Sequence, residues 1–560
     1  MADTTVTCKQ TGENFQVTDS DRTLSSKLAP SFGGETFTFP DPDITPLARE
    51  LKRLSFRNEK TLYQRQCSLT GKNIISTYHK DVPFPVYSQE AFWGDKWNAL
   101  EYGRDFDFTK PFFQQFGELM QVVPRLALVN KQSENSEFCN YSFANKNCYL
   151  LFGCHYEEDC MYGRYSTKNK NCMEYYWLYN SELCYKCIFC DKCYNSVNLE
   201  RCSTCDNCYF CFDLKGCSDC VFCHNLRNKQ YHIFNKPYSK DDYEKYINDL
   251  KLGSYKAFQD LKEKWENYKK ENAIYKAVYQ VNCENCEGSD LKNSKKLKFC
   301  FTAEECEDCA YGFQMDKTYT SIDNSHTGYD RCELAYETIG CNGIFHCVVC
   351  DSCWHSSELI YCNLCFSSKN CLGCVGLHQK EYCIFNKQYT KEQYEELAPK
   401  IIKHMQSTGE WGHFFPYEIH PYGYNETVAQ EYFTLTKEQV LQRGWKWEDE
   451  QEKLKGDPNY IIPDKINEVT DDILNQNLVC EATGKIYKIN PQELKFYKSL
   501  NVPVPRICPD QRFLDMRSLS SQFRLFDRIC VNKGERVKSA FPPDGPKQIY
   551  CEGCYLETVY

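Results

Sequence analysis

Cys530, Cys551 and Cys554 have the residue type and spacing to hold a metal. Cys551-Glu-Gly-Cys554 is a Cys-x-x-Cys pair set among aromatic residues, and two such pairs supply the four thiolates of a tetrahedral zinc site. The other half starts at Cys530, but Lys533 stands three residues later where a second thiol belongs. Cys508 and Cys480 are the candidates for the fourth ligand. The expectation is one zinc ion in the C-terminal module. A short signature links this end to the front: Cys8-Lys-Gln-Thr11-Gly12, Cys67-Ser-Leu-Thr70-Gly71 and Cys480-Glu-Ala-Thr483-Gly484. The same alignment puts Cys67 on Cys530, and Ser88 and Ala91 on Cys551 and Cys554. The front is therefore expected to have lost its metal and to be held by Phe92, Trp93 and Trp97.

Most of the 38 cysteines obey another rule. All sixteen between Cys139 and Cys223 fall on one three-residue register. A helix repeats every 3.6 residues and a strand every two, so neither gives this spacing. From Leu178 to Leu226 the register holds only Cys, Ser and Leu, and the earlier exceptions are Asn145, Glu157, Asn169 and Tyr175. A similar register runs from Cys332 through Cys341 to Leu377. Small or apolar residues on the register, with charged and aromatic ones between, imply an inside and an outside. A narrow β-solenoid fits, because stacked coils about 4.8 Å apart satisfy the backbone. The cysteine spacings suggest coils of twelve or of eighteen residues. The sulfurs are expected as core thiols, with disulfides and metal ligation as the other readings. Against metal, Cys184, Cys187 and Cys193 align with Ala335, Thr338 and Ile344 in the second register.

That alignment comes from an internal repeat. LRNKQYHIFNKPYSKDDYEK, from Leu226, matches LHQKEYCIFNKQYTKEQYEE, from Leu377, at an offset of 151 residues. Each IFNK segment reads as extended and is followed by a helix capped at Ser239 or Thr390, with Gln393 completing a capping box. Thr436 caps another short helix. The predicted fold is mainly β with helical connectors: two duplicated cysteine-rich β-solenoid arms flanked by zinc-ribbon-like modules. The N-terminal module spans 1–130, the first arm 131–235, a helical linker 236–275, the second arm 276–386, a helical and Pro/Tyr/Gly segment 387–475, and the C-terminal module 476–560.

A net charge of -10 weighs against coating of nucleic acid. No apolar run approaches the roughly 20 residues of a membrane span. The opening residues carry no secretion signal, so the expected compartment is intracellular and reducing. Basic stretches, ARELKRLSFR in front and RFLDMRSLSSQFR behind, are expected as solvated helix faces. Phosphate loops, His-Glu-x-x-His and nucleophile elbows are all missing, which points away from an enzyme. His224, His232, His346 and His355 lie near cysteines and are expected as exterior residues.

RNEKTLY, VPFPVYSQEAFWGDKW, YGRDFDFTKPFFQQF, VPRLALVNKQSENSE and GEWGHFFP resemble cysteine-rich proteins of unassigned function from giant DNA viruses and candidate-phyla bacteria. The resemblance covers nearly the whole chain. Some viral members carry a CaiB/BaiF label, but no residue here stands out as the catalytic aspartate of that chemistry. The resemblance implies fuller Cys-x-x-Cys pairs at the ends, from which Ser88, Ala91, Gln511 and Lys533 depart. A viral particle or assembly is a setting in which two rigid arms with tyrosine-rich faces would meet a partner. The functional expectation is a non-catalytic scaffold or interaction module with a protein partner or self-association. The alternatives are a zinc-ribbon nucleic-acid binder and a thiol-based metal or redox store.

Overall fold

A left-handed residue at every third position sets the path of both cysteine-rich stretches. The computed structural model describes residues 2–316, 318–322, 325, 332–336, 338–340, 343–449, 460–520 and 522–560. Cys341, and parts of the 276–386 and 387–475 stretches, lie outside them. From Tyr141 to Phe234 every third residue has a positive φ, such as Phe189 (53°), Lys192 (53°) and Arg201 (55°), with glycines at 153 and 216. Each immediately precedes a register residue: Phe189 leads into Cys190, Lys192 into Cys193, Arg201 into Cys202. A side chain in this region costs roughly 1–2 kcal/mol, and Asn and Asp tolerate it best. Asparagine and aspartate recur there, while β-branched residues occur, among the described residues, only as Thr204, Thr302 and Val349.

Between these corners the chain pairs in parallel with itself twelve residues ahead. Ser142 faces Asn130, Tyr175 faces Cys187, Cys193 faces Cys205, and Val221 faces Ile233. Twelve, not eighteen, is the step throughout this stretch. Four triplets fill it, so the backbone turns four corners before it meets itself. Corner asparagines stack into a ladder, with Asn195 Nδ2 donating to Asn207 Oδ1 (2.8 Å) and Asn207 to Asp219 (3.3 Å).

The register residues point inward, and side chains twelve residues earlier meet many of their amides. The other two residues of each triplet bond through the backbone: Asp191 N–H donates to Cys202 O (3.1 Å) and Arg201 N–H to Ile188 O (2.8 Å). The amide of Cys202 instead donates to Cys190 Sγ, twelve residues earlier (3.4 Å). Cys172 does the same to Cys160 Sγ (3.4 Å), Leu214 to Cys202 Sγ (3.5 Å) and Cys208 to Ser196 Oγ (3.1 Å). The thiol hydrogen goes to the carbonyl two residues back, as from Cys202 to Glu200 (3.3 Å). Burial pushes Cys139 up to about 12 and Cys154 well above the usual thiol range, so both stay protonated. Every described cysteine is free.

Three of the four early exceptions, Asn145, Glu157 and Asn169, take part in the same twelve-residue bonding. Asn145 N–H donates to Ser133 Oγ (3.1 Å), Glu157 N–H to Asn145 Oδ1 (3.0 Å) and Ser181 N–H to Asn169 Oδ1 (2.9 Å). Tyr175 Oη and Asn169 Nδ2 bond the Glu157 carboxyl (2.9 and 3.0 Å). Tyr175 fits inside because Gly163 lies one step below; a Cβ there would meet the tyrosine ring at 2.1 Å.

The IFNK segments are not extended. Phe234-Asn235 and Phe385-Asn386 are both left-handed, which makes each segment a tight antiparallel hairpin that ends its ladder (Ile233 facing Lys236, Ile384 facing Lys387). Ser239 then caps the helix Lys240–Asp249, and Thr390 with Gln393 forms a full capping box on Lys391–Ser407. The linker breaks near Gly253 into a second helix, Tyr255–Asn272, capped by Ser254. Together these make a mixed α/β fold of several small sheets and helices. It divides into two compact units: Met1–Leu128 with Tyr279–Glu448, and Val129–Val278 with Asp449–Tyr560. The C-terminal module thus belongs with the first cysteine-rich stretch. Among the described residues no helix is long and apolar enough to cross a membrane.

Two outcomes follow. Cys190→Ser keeps an acceptor for the Cys202 amide, whereas Cys190→Val keeps the volume and loses it. Urea melts should show the valine variant less stable by about 1–3 kcal/mol, the cost of an unpaired buried amide. Burial raises the Glu157 carboxyl from 4.5 to about 8. A carboxyl raised by folding contributes stability that is complete below its unfolded pKa and lost as pH climbs through the folded one. Between pH 4.5 and 8 the wild type should lose stability at up to about 1.4 kcal/mol per pH unit. Glu157→Gln should flatten that slope in melts taken across the range.

Candidate metal centre

Four hairpins in the terminal modules close in the same way. The amide of Cys8, Cys67, Cys480 and Cys530 donates to the carbonyl five residues on (2.8 Å in each case), and its carbonyl accepts from the glycine four residues on. Those glycines, Gly12, Gly71, Gly484 and Gly534, have φ of 74°, 70°, 71° and 71°, where glycine is the residue without strain. Each cysteine sulfur then accepts the N–H of the residue that caps a helix. Thr45 donates at 3.4 Å ahead of Pro46–Leu54, and Ser88 at 3.3 Å ahead of Gln89–Phe92. Cys508 donates at 3.2 Å ahead of Pro509–Arg517, and Cys551 at 3.3 Å ahead of Glu552–Val559.

The backbone pattern is constant and the sulfur content is not. At the hairpin cysteine, three residues later, at the cap and three residues after it, the sets are Cys8, Thr11, Thr45, Ala48; Cys67, Thr70, Ser88, Ala91; Cys480, Thr483, Cys508, Gln511; and Cys530, Lys533, Cys551, Cys554. Only the last gathers three thiols. Cys530, Cys551 and Cys554 have their sulfurs within 4.8 Å of one another, the one such group of metal-ligating side chains among the described residues. This cluster could coordinate a metal. Cys480 and Cys508 do not join it; they face each other across their own hairpin, with Thr483 Oγ1 3.7 Å from Cys508 Sγ. Their closeness is visible only once Cys480 is paired with a helix start 28 residues away. Thr45, which plays the same part for Cys8, carries no cysteine to signal it.

Burial disfavours a thiolate at Cys67, but the Thr70 hydroxyl and the amides of Ser88, Thr70 and Leu69 outweigh it and bring the thiol down to about 7. Cys480 reaches about 7 in the same way. At Cys530 the amides of Cys551, Lys533 and Asn532 overcome burial, again to about 7. Cys554 is pushed up to about 11, first by burial and then by the neighbouring sulfurs. Three thiols this close resist carrying three negative charges, and a bound cation is what lets all of them ionise.

The basic stretches beside these sites are not solvated faces. Arg53 is fully buried against Glu50 (2.8 Å) and Ser325. Arg512 is buried between Glu174 and Glu493, with Tyr497 Oη accepting at 2.8 Å. In each unit the arginine ties a terminal module to its cysteine-rich stretch. Of the histidines, His346 bonds Glu358 (2.7 Å) and His224 bonds Asn225 (3.0 Å).

Titration of reduced full-length protein with a thiophilic divalent ion, followed by thiolate-to-metal absorption, should saturate near one equivalent per chain. Cys554→Ser should abolish that step. No family model matches the sequence and no curated protein is significantly similar to it, so the centre is read from its own geometry.

Proposed function

We propose that the protein is a non-catalytic scaffold built on two narrow, four-sided β-solenoid arms with zinc-ribbon-like modules at their ends, the C-terminal one holding one zinc ion. One observation carries this reading: the arm sulfurs face inward and are spent on backbone hydrogen bonds, Cys190 to Cys202 being the pattern. Groups used this way are filling and hydrogen-bond partners, not reagents. The thiol-store reading would need sulfurs grouped as ligands, and among the described residues such grouping occurs only at the C-terminal cluster. The nucleic-acid reading draws on the basic stretches of the two end modules, and their Arg512 and Arg53 are buried in ion pairs. The outer surface offers aromatic contacts instead, with Tyr156, Tyr194, Tyr238 and Phe345 exposed. A protein partner or a second copy, as in a particle or assembly, is the occupant these suit.

Thiol counting and metal analysis on the native chain test the proposal. The arm thiols should stay unreactive until denaturant is added, metal should not exceed one ion per chain, and a chelator should leave hydrodynamic size unchanged. Fast reaction of most thiols in the native state, or several bound ions per chain, would overturn it.

A further inference from the structure

The C-terminal cluster has three sulfurs where a closed tetrahedral site has four. In the repeated hairpin pattern the missing ligand position is three residues after Cys530, and Lys533 fills it. An ammonium has three donors and no lone pair, so it cannot ligate. Its location is nevertheless defined. Lys533 Nζ lies 3.8 Å from where a Cβ on Gly553 would stand, over the helix start that carries Cys551 and Cys554. Lys533 is exposed and Cys551 half-buried, while Cys530 and Cys554 are fully buried. The cluster therefore has a closed side made by two sulfurs and a solvent side made by Cys551 and the lysine. Among the described residues no other ligand joins the three sulfurs. Cys508 and Cys480 are engaged with each other, and no described histidine or carboxylate joins the group.

We propose that Cys530, Cys551 and Cys554 hold zinc in an open site, whose fourth position takes an exogenous monodentate donor, an imidazole or a thiolate, on the face where Lys533 stands. The inference rests on the reading that this cluster takes zinc. Charge supports the arrangement. Three thiolates and Zn²⁺ sum to minus one, and the Lys533 ammonium brings the centre to neutrality before a fourth ligand arrives. A fourth thiolate from the chain would bring the ligand set and ion to minus two. Sites with three protein ligands are the ones that exchange their fourth. Lys533 acts as a positioning residue: it offsets charge and can donate a hydrogen bond to the incoming donor without touching the ion.

Cobalt(II) loaded into the reduced full-length chain reports both presence and openness of the site through its d–d bands. One equivalent should bind, and added imidazole should shift the bands. Lys533→Cys should close the site, giving a four-thiolate spectrum that ignores imidazole and a tighter hold on zinc. Lys533→Ala should weaken zinc about tenfold, the usual loss of an outer-sphere partner, with the thermal melt of the metal-free protein unchanged. Wild-type bands indifferent to imidazole would mean a closed site and overturn the inference while leaving the zinc reading intact. Failure of the wild type to bind cobalt or zinc, with binding by Lys533→Cys, would overturn both.

Discussion

The amide of each inward-facing residue has to be satisfied inside a space too narrow for water, and this constraint shapes the rest of the chain. The ladder consumes the amides of the other two residues in each triplet. The third looks into the interior, where an unpaired N–H costs about 1–3 kcal/mol. At many positions a side-chain acceptor twelve residues earlier meets it, an Sγ or Oγ one bond beyond Cβ or an asparagine Oδ1 two bonds beyond. Cysteine, serine and asparagine can supply that atom, and they dominate the register. Leucine can receive from it, as Leu214 does from Cys202, but has nothing to pass on, so it is interspersed. Cysteine adds bulk that serine lacks, and it donates its own hydrogen to the carbonyl two residues back.

The three-residue register is legible in the sequence because the inward environment recurs with each corner. The length of the repeat is not, since cysteine spacing reports the triplet and says nothing about how many triplets close a circuit. That number comes from the twelve-residue pairing step, and the left-handed residues that turn each corner are permissive in identity: Lys192, Phe189 and Tyr162 all serve. Asn145 and Asn169 look like faults in a small-residue column until their side chains are seen meeting amides twelve residues on, and Glu157 until its carboxyl is seen held by Tyr175 and Asn169. In the second stretch the register cannot be carried back by a fixed offset. Ahead of Gly288 (φ 139°) the pairing step is eleven, Val281 facing Lys292, and from Gly288 on it is twelve; the backbone comes so close to the Cys300 carbonyl there that only glycine fits. The candidate site divides in the same way. Cys551 and Cys554 announce themselves by spacing, and the meeting with Cys530 follows from the repeat. The separation of Cys480 and Cys508 from them depends on which hairpin faces which helix, and only tertiary structure decides that.

Beside their hydrophobic cores, the two units share one orienting device. An arginine on the helix after the hairpin is buried against carboxylates, Arg53 with Glu50 and Arg512 with Glu174 and Glu493. Buried pairs of this kind are weak sources of net stability, yet removing one partner is costly because the other charge is left stranded. Their effect is to fix which face of a terminal module meets the ladder. Glu174 is itself a left-handed corner residue, so the position that turns the backbone also supplies the anchor. A basic run in the sequence therefore reads as a surface feature while serving as an internal one.

The hairpins and the ladders use sulfur for the same purpose. Cys8 and Cys67 have no thiol partner in their sets, and each still accepts the amide of a helix cap, Thr45 or Ser88. That bond organises the turn whether or not a metal is present, so substitution of the other ligand positions leaves the fold standing. A thiol kept for its acceptor role is free to become a ligand when two more gather around it. Cys530 makes the same bond to Cys551 as Cys67 makes to Ser88, and what differs is the sulfur on the donor residue and three positions beyond. Coordination is in this sense an addition to a hydrogen-bonded frame that already exists, which is why one chain can carry one, two and three thiols on four copies of a single backbone pattern.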